Sequence, residues 1–155
     1  MKKEGQKDMI RILIAEDEQR ARRGLKNVIS SISDNYQIVA EVSDGRQALE
    51  MMQIVKPDVV FTDLKMPYMG GIELIRAAES AGMNSKYVIV SAYEEFEYAR
   101  QAITLGVKDY LVKPITVDEV KNLMLRLEAE PHTEWTGSKE VKSLKSEYPD
   151  AHPLV

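Results

Sequence analysis

Val59-Val60-Phe61-Thr62-Asp63-Leu64-Lys65-Met66-Pro67-Tyr68-Met69-Gly70-Gly71 runs four strand-forming residues into one carboxylate, and then a Pro and two Gly that force a loop. The pattern predicts Asp63 at the carboxyl end of a buried strand. Open α/β sheets bind their ligands at that edge, which makes Asp63 the candidate centre of the chain's chemistry. Taken alone, Asp before a Pro/Gly loop is also ordinary turn chemistry. The functional reading therefore depends on what else reaches the same edge.

Outward from this stretch, strands alternate with amphipathic helices. Ile10 to Ala15 is a short β-branched run ending in Glu16-Asp17-Glu18, and Ala21, Leu25, Val28, Ile29 and Ile32 then recur at helical spacing. Gln37 to Val42 reads as a second strand. Ser43-Asp44-Gly45 is a turn and cap, and the helix marked by Ala48, Leu49, Met52 and Val55 stops before Pro57. After the Asp58 to Thr62 strand comes a helix from Ile72 to about Ala81. A strand from Tyr87 to Val90 leads to a helix near Glu94 to Thr104 with Phe96, Ala99 and Ile103 inward. Asp109 to Val112 is the fifth strand, and Thr116-Val117-Asp118-Glu119 is a capping box that opens a last helix with Val120, Leu123, Met124 and Leu127. Strict alternation implies a parallel sheet, because parallel strands need crossovers and the crossovers cover both faces. The fold expected is α/β, flavodoxin-like and doubly wound, with five strands in the order 2-1-3-4-5 and helices on both faces.

Length and composition bound the organisation. With 155 residues, 44% hydrophobic and 30% charged, the chain can bury one core. The division expected is an N-terminal tail over 1–9, one domain over 10–130, and a polar tail or linker over 131–155 in which Trp135, Val141, Leu144 and Tyr148 are scattered. A net charge of −4 argues against nucleic-acid binding by bulk electrostatics. The absence of cysteine excludes disulfides, thiolate metal sites and a Cys nucleophile. The apolar runs are far shorter than a membrane span and the polar Met1 to Asp8 has no signal-peptide core, so a soluble cytoplasmic protein is expected.

In a parallel sheet all carboxyl ends share one edge. Reading those ends brings together Glu16 and Asp17 after strand one, Asp63 after strand three, Ser91 after strand four and Lys113 after strand five. Crowded carboxylates repel one another unless a cation joins them, and a hard oxygen site of this size suits Mg2+. Phosphoryl transfer needs this set: a carboxylate nucleophile, a metal on the phosphoryl oxygens and donors for the rest. Each residue has a plainer role as well, Glu16-Asp17-Glu18 and Ser91 as helix caps and Lys113 as a solvated charge. Convergence of four strand ends favours the functional role.

These residues match a family. Ile10 to about Glu130 resembles the receiver domain of bacterial two-component response regulators. The motifs are Ile-Ala-Glu-Asp-Glu at 14–18, Pro-Asp-Val-Val-Phe-Thr-Asp-Leu-Lys-Met-Pro-Tyr-Met-Gly-Gly at 57–71, Val-Ser-Ala-Tyr at 90–93 and Gly-Val-Lys-Asp-Tyr-Leu-Val-Lys-Pro at 106–114. The resemblance implies that Asp63 accepts a phosphoryl group and that Glu16 and Asp17 hold Mg2+ with the backbone carbonyl of Lys65. It implies that Lys113 contacts the phosphoryl oxygens, and that Ser91, Ala92 and Tyr110 form a switch. A cis peptide is expected at Lys113-Pro114. Glu16 and Ser91 stand where Asp and Thr are more frequent in the family, and Lys65 lies beside the path of an attacking water.

The implied partners are a sensor histidine kinase, docking near Arg20, Arg23 and Pro114, and a phosphorylation-dependent homodimer through the fourth helix, fifth strand and fifth helix. There Arg100, Lys108, Asp109 and Glu119 are candidate pairing groups. The segment from Ser91 to Ile103 is similar to receivers that precede an AraC-type DNA-binding domain, so either a transcriptional output domain follows or the receiver stands alone, acting by protein contact or as a phosphorelay intermediate. An aspartate-nucleophile phosphohydrolase would carry a second Asp where Lys65 stands. A flavodoxin-like cofactor binder would want a Ser/Thr/Gly-rich loop where Glu16-Asp17-Glu18 stands. A pseudo-receiver would lack the full acid, Asp, Ser and Lys set.

Overall fold

The structure is a computed structural model that describes residues 9–92 and 96–130. Ten elements alternate: β1 (Ile10–Ala15), α1 (Gln19–Ile32), β2 (Tyr36–Val42), α2 (Gly45–Val55), β3 (Val59–Thr62), α3 (Gly71–Ser80), β4 (Lys86–Ser91), α4 (Phe96–Thr104), β5 (Asp109–Val112) and α5 (Val117–Glu128). The sheet is parallel in the order β2-β1-β3-β4-β5, the flavodoxin-like arrangement expected from the alternation.

Local chemistry explains the boundaries. Asp44 caps α2 by accepting from the Gln47 amide at 2.8 Å, and the helix ends at Lys56 in a left-handed conformation before Pro57. Thr116 and Glu119 close the capping box of α5. β3 is buried along its whole length, as a central parallel strand must be, and its Val59 and Phe61 face one core while Val60 faces the other. The first core packs α1 and α5 on one face through Leu25, Ile29, Val120, Leu123, Met124 and Leu127. The second core lies under α2, α3 and α4 and includes Met52, Leu74, Ile75, Ala78 and Ala102.

One expectation fails on α4. Ile103 is 68% exposed, and Ala102 is the residue at 0%. Apolar residues occupy two adjacent stripes of this helix, Tyr98-Ala102 and Ala99-Ile103, and the 3.6-residue period does not choose between them. The Tyr98-Ala102 stripe packs on the second core. The Phe96 side chain and the Glu94 helix start lie outside the described residues, as do the two tails beyond Met9 and Glu130.

At the amino-terminal edge of the sheet the last turn of α5 is held by charge. Lys86, only 5% exposed, donates to Glu130 at 2.5 Å, Lys108 reaches the same carboxylate at 3.2 Å, and the Tyr36 hydroxyl donates to Glu128. Burial alone would raise the Glu130 carboxyl, but the hydrogen bond from Lys86 and the charges of Lys108 and Lys86 outweigh it and hold the group below its ordinary value. Such a group stabilises the fold fully above the unfolded value near 4.5, and the contribution is lost as pH falls through the lower folded value. Glu130→Gln is therefore expected to cost about 2 kcal/mol near neutral pH. The gap to the parent should close as urea titrations are repeated below about pH 4.5.

Tyr87 offers a second check. Its ring is 3% exposed and its buried hydroxyl has no hydrogen-bond partner among the described residues. Burial, then the nearby Glu79 charge, pushes the phenol further above its ordinary value, so it stays neutral. Removing an unsatisfied buried hydroxyl relieves a desolvation cost, and Tyr87→Phe should stabilise by on the order of 1 kcal/mol in urea unfolding.

Candidate functional site

The ladder that builds the sheet also aims its carboxyl edge. Ala15, Thr62, Ile89 and Tyr110 lie in one register row across β1, β3, β4 and β5. Backbone bonds then carry the pairing beyond the strands: Asp63 N donates to Ala15 O at 2.9 Å, Glu16 N to Val42 O at 3.0 Å, and Lys113 N to Ser91 O at 2.8 Å. Glu16 and Asp63 thus leave the sheet as the next rung, and Lys113 continues the β4–β5 pairing one residue past Val112, so none is a free loop residue.

The loop after Asp63 is tight for a backbone reason. Gly71 N donates to Leu64 O at 2.9 Å, and a Cβ on Gly71 would lie 2.3 Å from the carbonyl oxygen of Asp63. From the other side, Gly45 N at the start of α2 donates to Met69 O at 3.0 Å, and a Cβ there would meet that oxygen at 2.2 Å. Between these clasps Tyr68 takes φ of 69°, uncommon for a bulky residue, with the Arg46 guanidinium 4.7 Å from its ring centroid.

Electrostatics dominate the pocket. Oxygens of Glu16, Asp17 and Asp63 lie within 4.8 Å of one another. Glu16 is 4% and Asp63 8% exposed, whereas Asp17 is open to solvent. The Lys113 ammonium donates to Glu16 at 2.6 Å and to Asp63 at 3.3 Å. The Leu64 amide donates to the second Asp63 oxygen at 2.6 Å. Burial pushes Glu16 up to about 7 despite the Lys113 and Glu18 hydrogen bonds, and the Asp63 charge adds to the rise. Burial would lower Lys113, but Glu16 and Asp63 together raise it, so the ammonium stays charged. Two of the three clustered acids share the Lys113 ammonium, and the set of oxygens is one that a hard divalent cation would complete.

The other expected site residues fall around this pocket. Ser91 ends β4 and is fully buried, Ala92 follows it exposed, and Tyr110 is half-buried against the second core. Lys65 is exposed, its ammonium 5.3 Å from the centroid of the Tyr98 ring on α4. Lys113-Pro114 is cis, as expected. Sequence reasoning missed Arg22, which donates to Glu16 O at 2.7 Å and so fixes the acidic turn from the first turn of α1. It also missed the engagement of the proposed interface charges within the chain: Arg100 with Glu97, Lys108 with Glu130, Glu119 with Thr116, and Asp109 with Arg126 at 2.7 Å.

The comparisons with known proteins agree with this geometry. Residues 12–125 match the model of the response regulator receiver domain. The chain belongs to the response regulator receiver family. It is 32% identical over 139 residues to the transcriptional regulatory protein YesN of Bacillus subtilis (strain 168), covering 90% of this chain and 38% of that protein. It is 32% identical over 119 residues to the transcriptional regulatory protein HptR of Staphylococcus aureus (strain NCTC 8325 / PS 47), covering 77% of this chain and 46% of that one. The chain therefore spans less than half the length of these relatives. A DNA-binding response regulator of the LuxR family from Staphylococcus aureus superposes with a TM-score of 0.72 at 25% identity, over 77% of this chain and 98% of that one. The fold is that of a receiver domain, with an acidic cluster at the carboxyl edge of its sheet. Among the described residues no helix is long and apolar enough to cross a membrane.

The close approach at Gly71 gives a direct test of the receiver loop. Gly71→Ala is expected to destabilise by about 1–3 kcal/mol, because backbone rather than a flexible side chain must move. Thermal unfolding of parent and variant checks it.

Proposed function

We propose that this receiver is a phosphorylation-driven switch in which Asp63 takes a phosphoryl group from a phosphohistidine of a sensor histidine kinase. The observation that carries the reading is one ammonium, Lys113, bridging two buried carboxylates, Glu16 and Asp63, at the carboxyl edge of the sheet. An Asp63 oxygen forms the new bond to phosphorus while the bond from the histidine nitrogen to phosphorus breaks, and that nitrogen keeps the electron pair. Lys113, already 3.3 Å from Asp63, meets a phosphoryl oxygen. Glu16, Asp17, Asp63 and the backbone carbonyl of Lys65 would hold Mg2+, which when bound spreads the charge of the phosphoryl oxygens. The chain assists its own phosphorylation and dephosphorylation and turns over no conventional substrate.

Readout follows from the neighbouring residues. The Ser91 hydroxyl and Ala92 amide donate to the added oxygens, and Tyr110, half-buried at the edge of the second core, fills the space vacated. The face of α4, β5 and α5 changes and serves as the output and homodimer surface. The kinase docks at Arg20, Arg23 and Pro114, all exposed beside the pocket edge. Residues 10–130 form the receiver, with 1–9 and 131–155 as tail and linker. Regulation of transcription through a further output domain is supported by the longer transcriptional relatives. With a net charge of −4 this chain itself contacts no nucleic acid, and it works in the cytoplasm.

Acetyl phosphate with Mg2+ should add one hydroxylamine-labile phosphoryl group to the parent and none to Asp63→Asn, as read by intact mass. Equal labelling of both sinks the assignment of Asp63. Sizing the same chain with and without beryllofluoride tests dimerisation, and an unchanged monomer removes that part of the reading.

A further inference from the structure

The described side chains of α4 give it few buried contacts. Among its described side chains only Ala102 is fully buried, and Tyr98 packs half-buried on the second core, whereas α3 buries Ile72, Leu74, Ile75 and Ala78. Against this helix the acceptor loop places the Lys65 ammonium 5.3 Å from the Tyr98 ring centroid, within cation–π range. Lys65 is two residues from Asp63 in the chain. One residue therefore belongs to the acceptor loop through its backbone and to α4 through its charge.

We propose that Tyr98 is a positioning residue for Lys65: its ring holds the ammonium against α4 in the unmodified chain and yields it when negative charge is added at Asp63. The inference rests on Asp63 being the acceptor. A phosphoryl group leaves roughly 1.5 to 2 negative charges where the Asp63 carboxylate held one, and adds three strong acceptor oxygens. A charge-assisted hydrogen bond to those oxygens is stronger than a cation–π contact on a half-exposed ring, so the ammonium shifts to the phosphoryl group. Linkage makes the coupling reciprocal. Whatever holds Lys65 on Tyr98 weakens the hold on the group at Asp63, and charge at Asp63 loosens α4 by the same factor. No covalent step is involved beyond the modification of Asp63 itself.

The probe is beryllofluoride with Mg2+, titrated by calorimetry into the full chain and into Tyr98→Leu, Tyr98→Phe, Lys65→Met and the Lys65→Met/Tyr98→Leu double variant. Tyr98→Leu should bind about threefold more tightly than the parent, and Tyr98→Phe, which keeps a ring face, should bind like the parent. In the Lys65→Met background, Tyr98→Leu should change nothing further. In the metal-free proteins, hydrogen exchange across Phe96–Thr104 should quicken in Tyr98→Leu and in Lys65→Met alike. Lys65→Met sits at an exposed position and carries this arm even if Tyr98→Leu fails to fold. Equal affinities for the Leu and Phe variants, a Leu effect that persists without Lys65, or unchanged exchange in Lys65→Met overturns the proposal. Failure of the parent to bind beryllofluoride, or equal binding by Asp63→Asn, instead overturns the acceptor reading on which it stands.

Discussion

Two buried carboxylates share one ammonium at the carboxyl edge of the sheet, and the rest of the molecule accommodates that fact. Glu16 and Asp63 would repel each other in a poorly solvated pocket, and Lys113 makes their proximity tolerable at 2.6 and 3.3 Å. The neutralisation is incomplete, since Asp17 brings a third carboxylate within 4.8 Å. Clustered carboxylates beside one fixed cation form an oxygen set that suits a hard metal ion. The rise of Glu16 to about 7 comes first from its burial, and the Asp63 charge adds to it.

Holding these groups at such separations requires rigid backbone. The site residues are continuations of the strand ladder, and the loop that follows Asp63 is pinned at Leu64 by Gly71 and at Met69 by Gly45. At both glycines a Cβ would fall within 2.3 Å of a carbonyl oxygen, so the fit is made by missing atoms. α2, which supplies no acid to the pocket, still contributes through Gly45 and Arg46.

The alternation of strands and helices, the strand order and the convergence of Glu16, Asp17, Asp63 and Lys113 were legible in the sequence because parallel topology forces them. Local caps such as Asp44 and Thr116 were legible because their chemistry is complete within four residues. What escaped depends on long-range packing. Lys86 and Glu130 are 44 residues apart and each reads as a solvated charge in isolation. Arg22 looks like one more basic residue on a helix until its bond to Glu16 O is seen. The phase of α4 was misjudged because two apolar stripes run side by side and a 3.6-residue period fits both, leaving Ile103 outward and Ala102 inward.

Unequal anchorage decides where added charge at the edge can be taken up. α5 buries Val120, Leu123, Met124 and Leu127, and its last turn is tied to β2 through Tyr36 and to β4 through Lys86. Arg126 adds a bond to Asp109 at the start of β5. Displacing that helix would expose a row of core side chains and break the pair between the nearly buried Lys86 and Glu130, a cost several times larger than any single surface contact. α4 carries no comparable load among its described side chains, and it follows directly on the β4 strand that ends in Ser91. Elements with few buried contacts open at the lowest free energy, so a change starting at the proposed acceptor Asp63 would meet least resistance at α4. The Lys65 ammonium links the loop after Asp63 to this helix, while the charge clamp holds the end of α5 to the sheet.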